Sequence, residues 1–249
     1  MKVIAVLPAY NAERTLEKTI RDIPEGAVDE IILVDDCSRD GTAALSRRLG
    51  LTTIVHERNR GYGGNQKTCY REALKRGAEI VIMIHPDYQY DARLAPVMSA
   101  LIANGICDFV CGNRIRTRWE ALEGGMPVYK YFFNRALTIF ENSVTGQNLG
   151  EWHSGLRAYS RRLLETIPWE LNSDDFVFDQ QMLIQAAAMR FKLGDVPVAA
   201  RYFAEASSID FRRSCVYGLS ALATLGQYAL QRAGLARFEL LTPKAPPAR

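Results

Sequence analysis

Four short stretches of this chain concentrate acids, amides and glycines: Pro8-Ala9-Tyr10-Asn11, Asp35-Asp36, residues 56–64, and His85-Pro86-Asp87. A short acid can accept a hydrogen bond from a ring N–H or from a sugar hydroxyl. Arg114, Arg157 and Arg201 are candidates for phosphate contacts, because a planar guanidinium donates two parallel hydrogen bonds to phosphate oxygens. Arg157 stands between apolar neighbours and needs a partner in any fold. Two common phosphate motifs are absent. No GxGxxG follows the first apolar run, which disfavours a dinucleotide-dependent dehydrogenase, and the lack of GxxxxGK[ST] removes the P-loop kinases and NTPases.

The elements that must position these residues alternate along the chain. Residues 3–7 are an apolar run ended by Pro8, which reads as a strand buried on both faces of a parallel sheet. Leu16, Ile20 and Ile23 have helical spacing and lead to the run 31–34. Helical stretches at 43–49, 65–76 and 94–102 precede strands at 53–55, 80–84 and 108–111. Strand, helix, strand at this spacing implies right-handed crossovers and a mostly parallel sheet covered by helices on both faces. Ligands collect at the carboxyl ends of such strands, where all four stretches fall. Polar loop ends explain each stretch singly, but explain their joint occurrence much less well.

Composition fits this picture. With 48% hydrophobic and 24% charged residues the chain can build a sizeable core, and disordered, collagenous and disulfide-scaffold classes are excluded. The 31 Lys and Arg against 28 Asp and Glu give a charge of +3 and no general reason to expect nucleic acid as a partner. Five apolar residues between Lys2 and Pro8 are too few for a signal-peptide core. Cys37, Cys69, Cys107, Cys111 and Cys215 form no CxxC pair, so a cytoplasmic chain with unpaired thiols is expected.

The residues Leu7-Pro8-Ala9-Tyr10-Asn11-Ala12-Glu13, Val34-Asp35-Asp36-Cys37-Ser38-Arg39-Asp40-Gly41-Thr42 and Asn59-Arg60-Gly61-Tyr62-Gly63-Gly64-Asn65 resemble, in order and spacing, the N-terminal motifs of family 2 glycosyltransferases. Ser154-Gly155-Leu156-Arg157-Ala158-Tyr159-Ser160 resembles a stretch of the dolichyl-phosphate mannose synthase-like polyprenyl-phosphate sugar transferases. The resemblance covers residues 3–213 and implies an α/β GT-A fold, Rossmann-like, over residues 1–213. A C-terminal helix at 214–240 and a disordered Pro-rich tail at 241–249 follow. It implies a UDP- or GDP-linked sugar donor whose anomeric carbon is attacked, with inversion, by an acceptor oxygen. By resemblance Asp36 takes the base or ribose and Pro8, Ala9 and Tyr10 form the wall on which the base lies. Asn11, Gly61, Asp87, Gln89, Arg114 and Arg201 complete the donor site. Asp40 also reads as a turn and helix cap.

His85-Pro86-Asp87-Tyr88-Gln89 occupies the place of the family's Asp-x-Asp metal motif, so Mg2+ or Mn2+ is the implied cofactor. Asp87 matches the second acid. His85 replaces the first, and imidazole suits manganese or zinc better than magnesium. A hydrogen bond to ribose or a structural loop bond would equally account for His85. Asp87, Asp179 and Arg157 are the implied catalytic residues. Asp179 would be the general base for a hydroxyl acceptor, whereas a polyprenyl phosphate, already ionised, needs no strong base. Asp174 and Asp175 are competing helix caps, and Trp152 could stack on a sugar or pack. A saccharide acceptor, or a catalytically weak nucleotide-sugar-binding protein, remain the alternatives. Base, sugar and oligomeric state stay open.

Residues 216–230 are uncharged, but these fifteen fall short of the ~20 apolar residues a spanning helix needs. Arg212, Arg213, Arg232 and Arg237 flank them, as in an interfacial helix. Residues 128–139 carry Tyr129, Tyr131, Phe132, Phe133 and Leu137 beside Lys130 and Arg135 and are a second candidate for membrane contact. Both segments also read as buried core helices. Peripheral attachment to the cytoplasmic face of a membrane is the accompanying expectation.

Overall fold

The computed structural model describes residues 1–115, 117–199 and 211–244, with the backbone alone for 211–215. Seven strands form one sheet: β1 (Val3–Ala9), β2 (Glu30–Asp35), β3 (Thr52–Val55), β4 (Ile80–Met83), β5 (Phe109–Asn113), β6 (Arg157–Ser160) and β7 (Leu193–Pro197). Their order is β3-β2-β1-β4-β6-β5-β7. β1 pairs in parallel with β2 and β4, as do β2 with β3 and β5 with β7, whereas β6 runs antiparallel to both its neighbours. The expected mostly parallel sheet is therefore present, with one reversed strand in its interior.

Side chains alternate between the two faces of the sheet, as strand geometry requires. Ile4, Val6, Ile32, Val34, Val81 and Met83 enter one core, and Ala5, Leu7, Leu33, Ile80 and Ile82 enter the other. The second core is closed by α1 (Glu13–Arg21), α2 (Thr42–Arg48) and α4 (Ala95–Ala103), through residues such as Leu16, Leu45 and Met98. The first is closed by α3 (Gly61–Lys75), by α7 (Arg161–Thr166), by α8 (Phe178–Ala188) and by α9 (Phe211–Arg232). Between β5 and β6 lie α5 (Arg118–Glu123) and α6 (Val128–Thr145).

Several boundaries differ from the sequence reading. The helix expected at 214–240 is α9, which ends at Arg232, where the turn at Gly234 breaks it. β1 continues through Pro8 to Ala9, because Pro8 pairs with Val34 in a parallel register that tolerates a missing donor there. α3 starts a turn earlier than residue 65, its first residues being glycines without apolar signal. The tail assigned to 241–249 is packed as far as Lys244. Leu241 is buried, Gln231 Nε2 donates to its carbonyl, and the Lys244 amide donates to the Thr166 carbonyl. Leu241 and these hydrogen bonds hold residues 241–244, whose composition suggested disorder. Residues 245–249 lie outside the described residues.

Candidate active site

The carboxyl edge of the sheet is marked by backbone strain. Asn11, Cys37 and Tyr88, just after β1, β2 and β4, have φ of 51°, 62° and 60°, a region rare for side-chain-bearing residues. Hydrogen bonds hold these turns. Asn11 Oδ1 accepts from the Arg39 amide at 2.9 Å, and the Asn11 amide donates to Ser38 Oγ at 2.8 Å. Asp35 accepts from the Ser38 amide and hydroxyl. Asp40 accepts from the Thr42 amide and hydroxyl and from the Glu13 amide. Burial would raise the Asp40 pKa, but these donors bring it below the ordinary carboxylate value. Pro8 and Ala9 are buried, while the Tyr10 ring beyond them is 51% exposed.

Asp36 lies at the end of β2 but faces inward. Its Oδ1 accepts from the Arg60 amide at 2.8 Å and from His56 Nδ1 at 2.7 Å, and its Oδ2 from the Gly61 amide at 3.1 Å. A second acceptor, the Asp174 carbonyl, meets the Gly63 amide at 2.8 Å. The orphan donors at the start of α3 are thus met by the chain itself. The glycines permit this approach, since a Cβ on Gly61 would lie 2.6 Å from the Asp174 carbonyl oxygen and one on Gly63 would fall on that of Ser173.

His85, Asp179 and Arg157 are brought together, with two residues that sequence reasoning missed. Asp179 Oδ2 accepts from the Tyr62 hydroxyl at 2.6 Å and Oδ1 from Gln66 Nε2 at 3.1 Å. The Tyr62 oxygen also lies 2.9 Å from His85 Nε2, and the two rings stack at 5.3 Å. Burial pulls the His85 pKa below its ordinary value, although the carboxylates of Asp87 and Asp179 push the other way. Burial and the adjacent Asp179 hold the Tyr62 phenol well above its usual pKa. The only sequence signal for Tyr62 was an aromatic residue inside a glycine run.

Arg157 is fully buried and acts within the protein. It donates to the carbonyls of Ser154, Asp179 and Trp152, and Nη2 lies 3.8 Å from Asp179 Oδ2. Asp87 is half-buried, and its Oδ1 accepts from the Gln89 amide at 3.1 Å in a tight turn. Arg114 forms a two-pronged contact with the buried Glu151, whose Oε2 also accepts the Arg114 amide at 2.7 Å. Burial would raise the Glu151 pKa, but Arg114 holds it below the ordinary value. The Tyr90 hydroxyl accepts from the Gly155 amide at 2.9 Å, and burial pushes that phenol up to about 12. Trp152 is buried and donates to Asn142 Oδ1, so it packs. Asp174 and Asp175 do not cap α8 with their side chains: Asp174 pairs with Lys67 at 2.7 Å. Arg201 lies outside the described residues.

Beside this edge, α6 and α9 pack together but keep apolar side chains outside. Val128, Tyr129, Phe132, Phe133, Ile139 and Phe140 of α6 are exposed, the two central phenylalanines at 61% and 62%, as are Val216, Leu219 and Leu222 of α9 and nearby Trp119. Among the described residues no helix is long and apolar enough to cross a membrane.

A mostly parallel sheet with one reversed strand and a strained, polar carboxyl edge is an α/β architecture of the kind in which ligands bind at the strand ends. The profile described as "Glycosyl transferase family 2" matches residues 4–168, and the chain belongs to that family; it is a glycosyltransferase. It is 27% identical over 218 residues to a UDP-N-acetylglucosamine–dolichyl-phosphate N-acetylglucosaminyltransferase of Methanococcus voltae, covering 80% of this chain and 86% of that one. It is 26% identical to an undecaprenyl-phosphate mannosyltransferase of Micrococcus luteus, covering 80% and 83%. The fold is shared with glucosyl-3-phosphoglycerate synthase from Mycobacterium tuberculosis, solved with Mn2+, UDP and phosphoglyceric acid (TM-score 0.67, 21% identity, 95% of this chain and 80% of that one). That enzyme has also been solved with Mg2+ and UDP.

Proposed function

We propose that this chain transfers a sugar from a UDP- or GDP-linked donor to a polyprenyl phosphate, with inversion at the anomeric carbon. The observation that carries the reading is the gathering of 8–11, 35–41, 85–89 and 153–157 around one sheet edge. In this reading the exposed Tyr10 ring is the wall for the base, on a floor of Pro8 and Ala9. Asn11, Asp36 and Gly61 hold the loops in place, and Gln89 and Arg114 border the diphosphate, with Arg201 as a further phosphate contact.

Among the described residues no three His, Cys, Asp or Glu side chains cluster as a metal site. An imidazole and a carboxylate two residues apart, His85 and Asp87, fit a divalent cation and are the residues that would hold it. When bound, Mg2+ or Mn2+ there would offset the charge of the departing diphosphate. The chain's own groups do the rest. Arg157 fixes the backbone at Ser154 and Asp179, and Asp179 anchors Tyr62 and Gln66. With both Asp179 oxygens accepting protein donors, a phosphate acceptor that brings its own negative oxygen suits this site better than a hydroxyl needing a base. The two relatives carry polyprenyl phosphates in their names, and the exposed aromatic face of α6 suits peripheral contact with the membrane that holds such a lipid.

Nucleotide release from a panel of UDP- and GDP-sugars, with undecaprenyl phosphate in anionic vesicles and with or without Mn2+, tests the reading. Release that depends on the lipid phosphate and survives in part in Asp179→Asn is expected. Transfer to soluble saccharides that Asp179→Asn abolishes would replace the acceptor and make Asp179 the base.

A further inference from the structure

We infer that Tyr62 is a positioning residue: its hydroxyl, shared between Asp179 and His85, holds the imidazole as the Nε2–H tautomer and leaves a lone pair on Nδ1. A phenol has one proton to give and here has two neighbours, Asp179 Oδ2 at 2.6 Å and His85 Nε2 at 2.9 Å. An ionised carboxylate only accepts, so the phenol proton goes to Asp179. The phenol oxygen then has lone pairs alone to offer, and Nε2 must bring the hydrogen. The imidazole is packed in this orientation. Tyr62 stacks on it with planes 19° apart, and a Cβ at Gly155 would lie 2.6 Å from its Cδ2. Phe176 in turn packs against Tyr62 at 4.8 Å.

Neutral imidazole binds a cation through its unprotonated nitrogen, and the partner of the other nitrogen decides which one that is. The relay from Asp179 through Tyr62 makes it Nδ1, on the ring edge away from Tyr62. This consequence rests on the proposed role of His85 and Asp87. The tautomer itself does not.

The chain has three histidines, so long-range 1H–15N correlation spectra of labelled protein, with His85→Gln for assignment, read the tautomer directly. In the wild type Nε2 falls in the protonated range and Nδ1 in the unprotonated range. In Tyr62→Phe, which keeps the ring, the His85 signals move toward a tautomer mixture. Mn2+ binding in the presence of UDP, read by electron paramagnetic resonance, weakens by about tenfold or more in that variant. Nδ1–H in the wild-type spectrum overturns the inference, whatever the variant does. An unchanged tautomer in Tyr62→Phe does so as well, and unchanged Mn2+ affinity severs the link to the cation. A failure of the donor or acceptor assignment would leave the spectra as they are.

Discussion

Arg157 and Glu151 are two charges placed where water does not reach, and each is tolerable only because of its neighbours. Arg157→Met takes donors from three carbonyls and the nearby cation from Asp179. Urea unfolding is expected to show a loss of about 3–5 kcal/mol, the range for breaking a buried pair by removing one partner. Glu151 makes a pH prediction. Its folded pKa is depressed, so its stabilisation is full above the unfolded carboxylate range and is lost as pH falls through the folded value. Melting temperature should therefore fall on acidification below about pH 4.5. Glu151→Gln should be less stable at neutral pH and show a shallower acid slope; equal slopes would remove Glu151 from the acid response. At this scale the sequence was only partly legible. Asp36 reads as a ligand group because it ends a strand, yet besides His56 its partners are backbone amides at residues 60 and 61 that leave no mark in residue types. Tyr62 stood in the motif at 59–65, but its role was not legible because its partners, His85 and Asp179, come from distant segments.

Elements buried on both faces announce themselves as continuous apolar runs, which is why β1, β2 and β4 were legible. β6 was not, because Arg-Ala-Tyr-Ser has no such run and its burial depends on neighbours far along the chain. α3 shows the same limit at its start, where glycine permits the close approach of residues 173–174. Gly63→Ala is therefore expected to force apart α3 and the loop before α8, its Cβ meeting the Ser173 carbonyl and Phe178 Cβ. A loss of about 1–3 kcal/mol in thermal or urea unfolding is the expected cost of such overpacking. Little change would mean that the loop can yield.

At the scale of the whole molecule, many of the large exposed apolar side chains among the described residues lie on α6 and α9. Phe132→Ser with Phe133→Ser should cut co-sedimentation with anionic vesicles several-fold while leaving soluble nucleotide binding unchanged, and high salt should weaken the wild type as well. Undiminished sedimentation would place membrane contact elsewhere. The reversed strand β6 bears on how the chain is made. It lies between β4 and β5, both of which leave the ribosome before it, and parts them with its own hydrogen bonds. Until residue 160 has emerged, the nascent chain carries the four strands β3-β2-β1-β4, whose β4 edge offers unpaired amides and carbonyls to any passing strand, and a β5 that has neither of its neighbours. The central seam of the sheet thus closes late in synthesis, and the interval before it closes is when this protein is most open to mispairing.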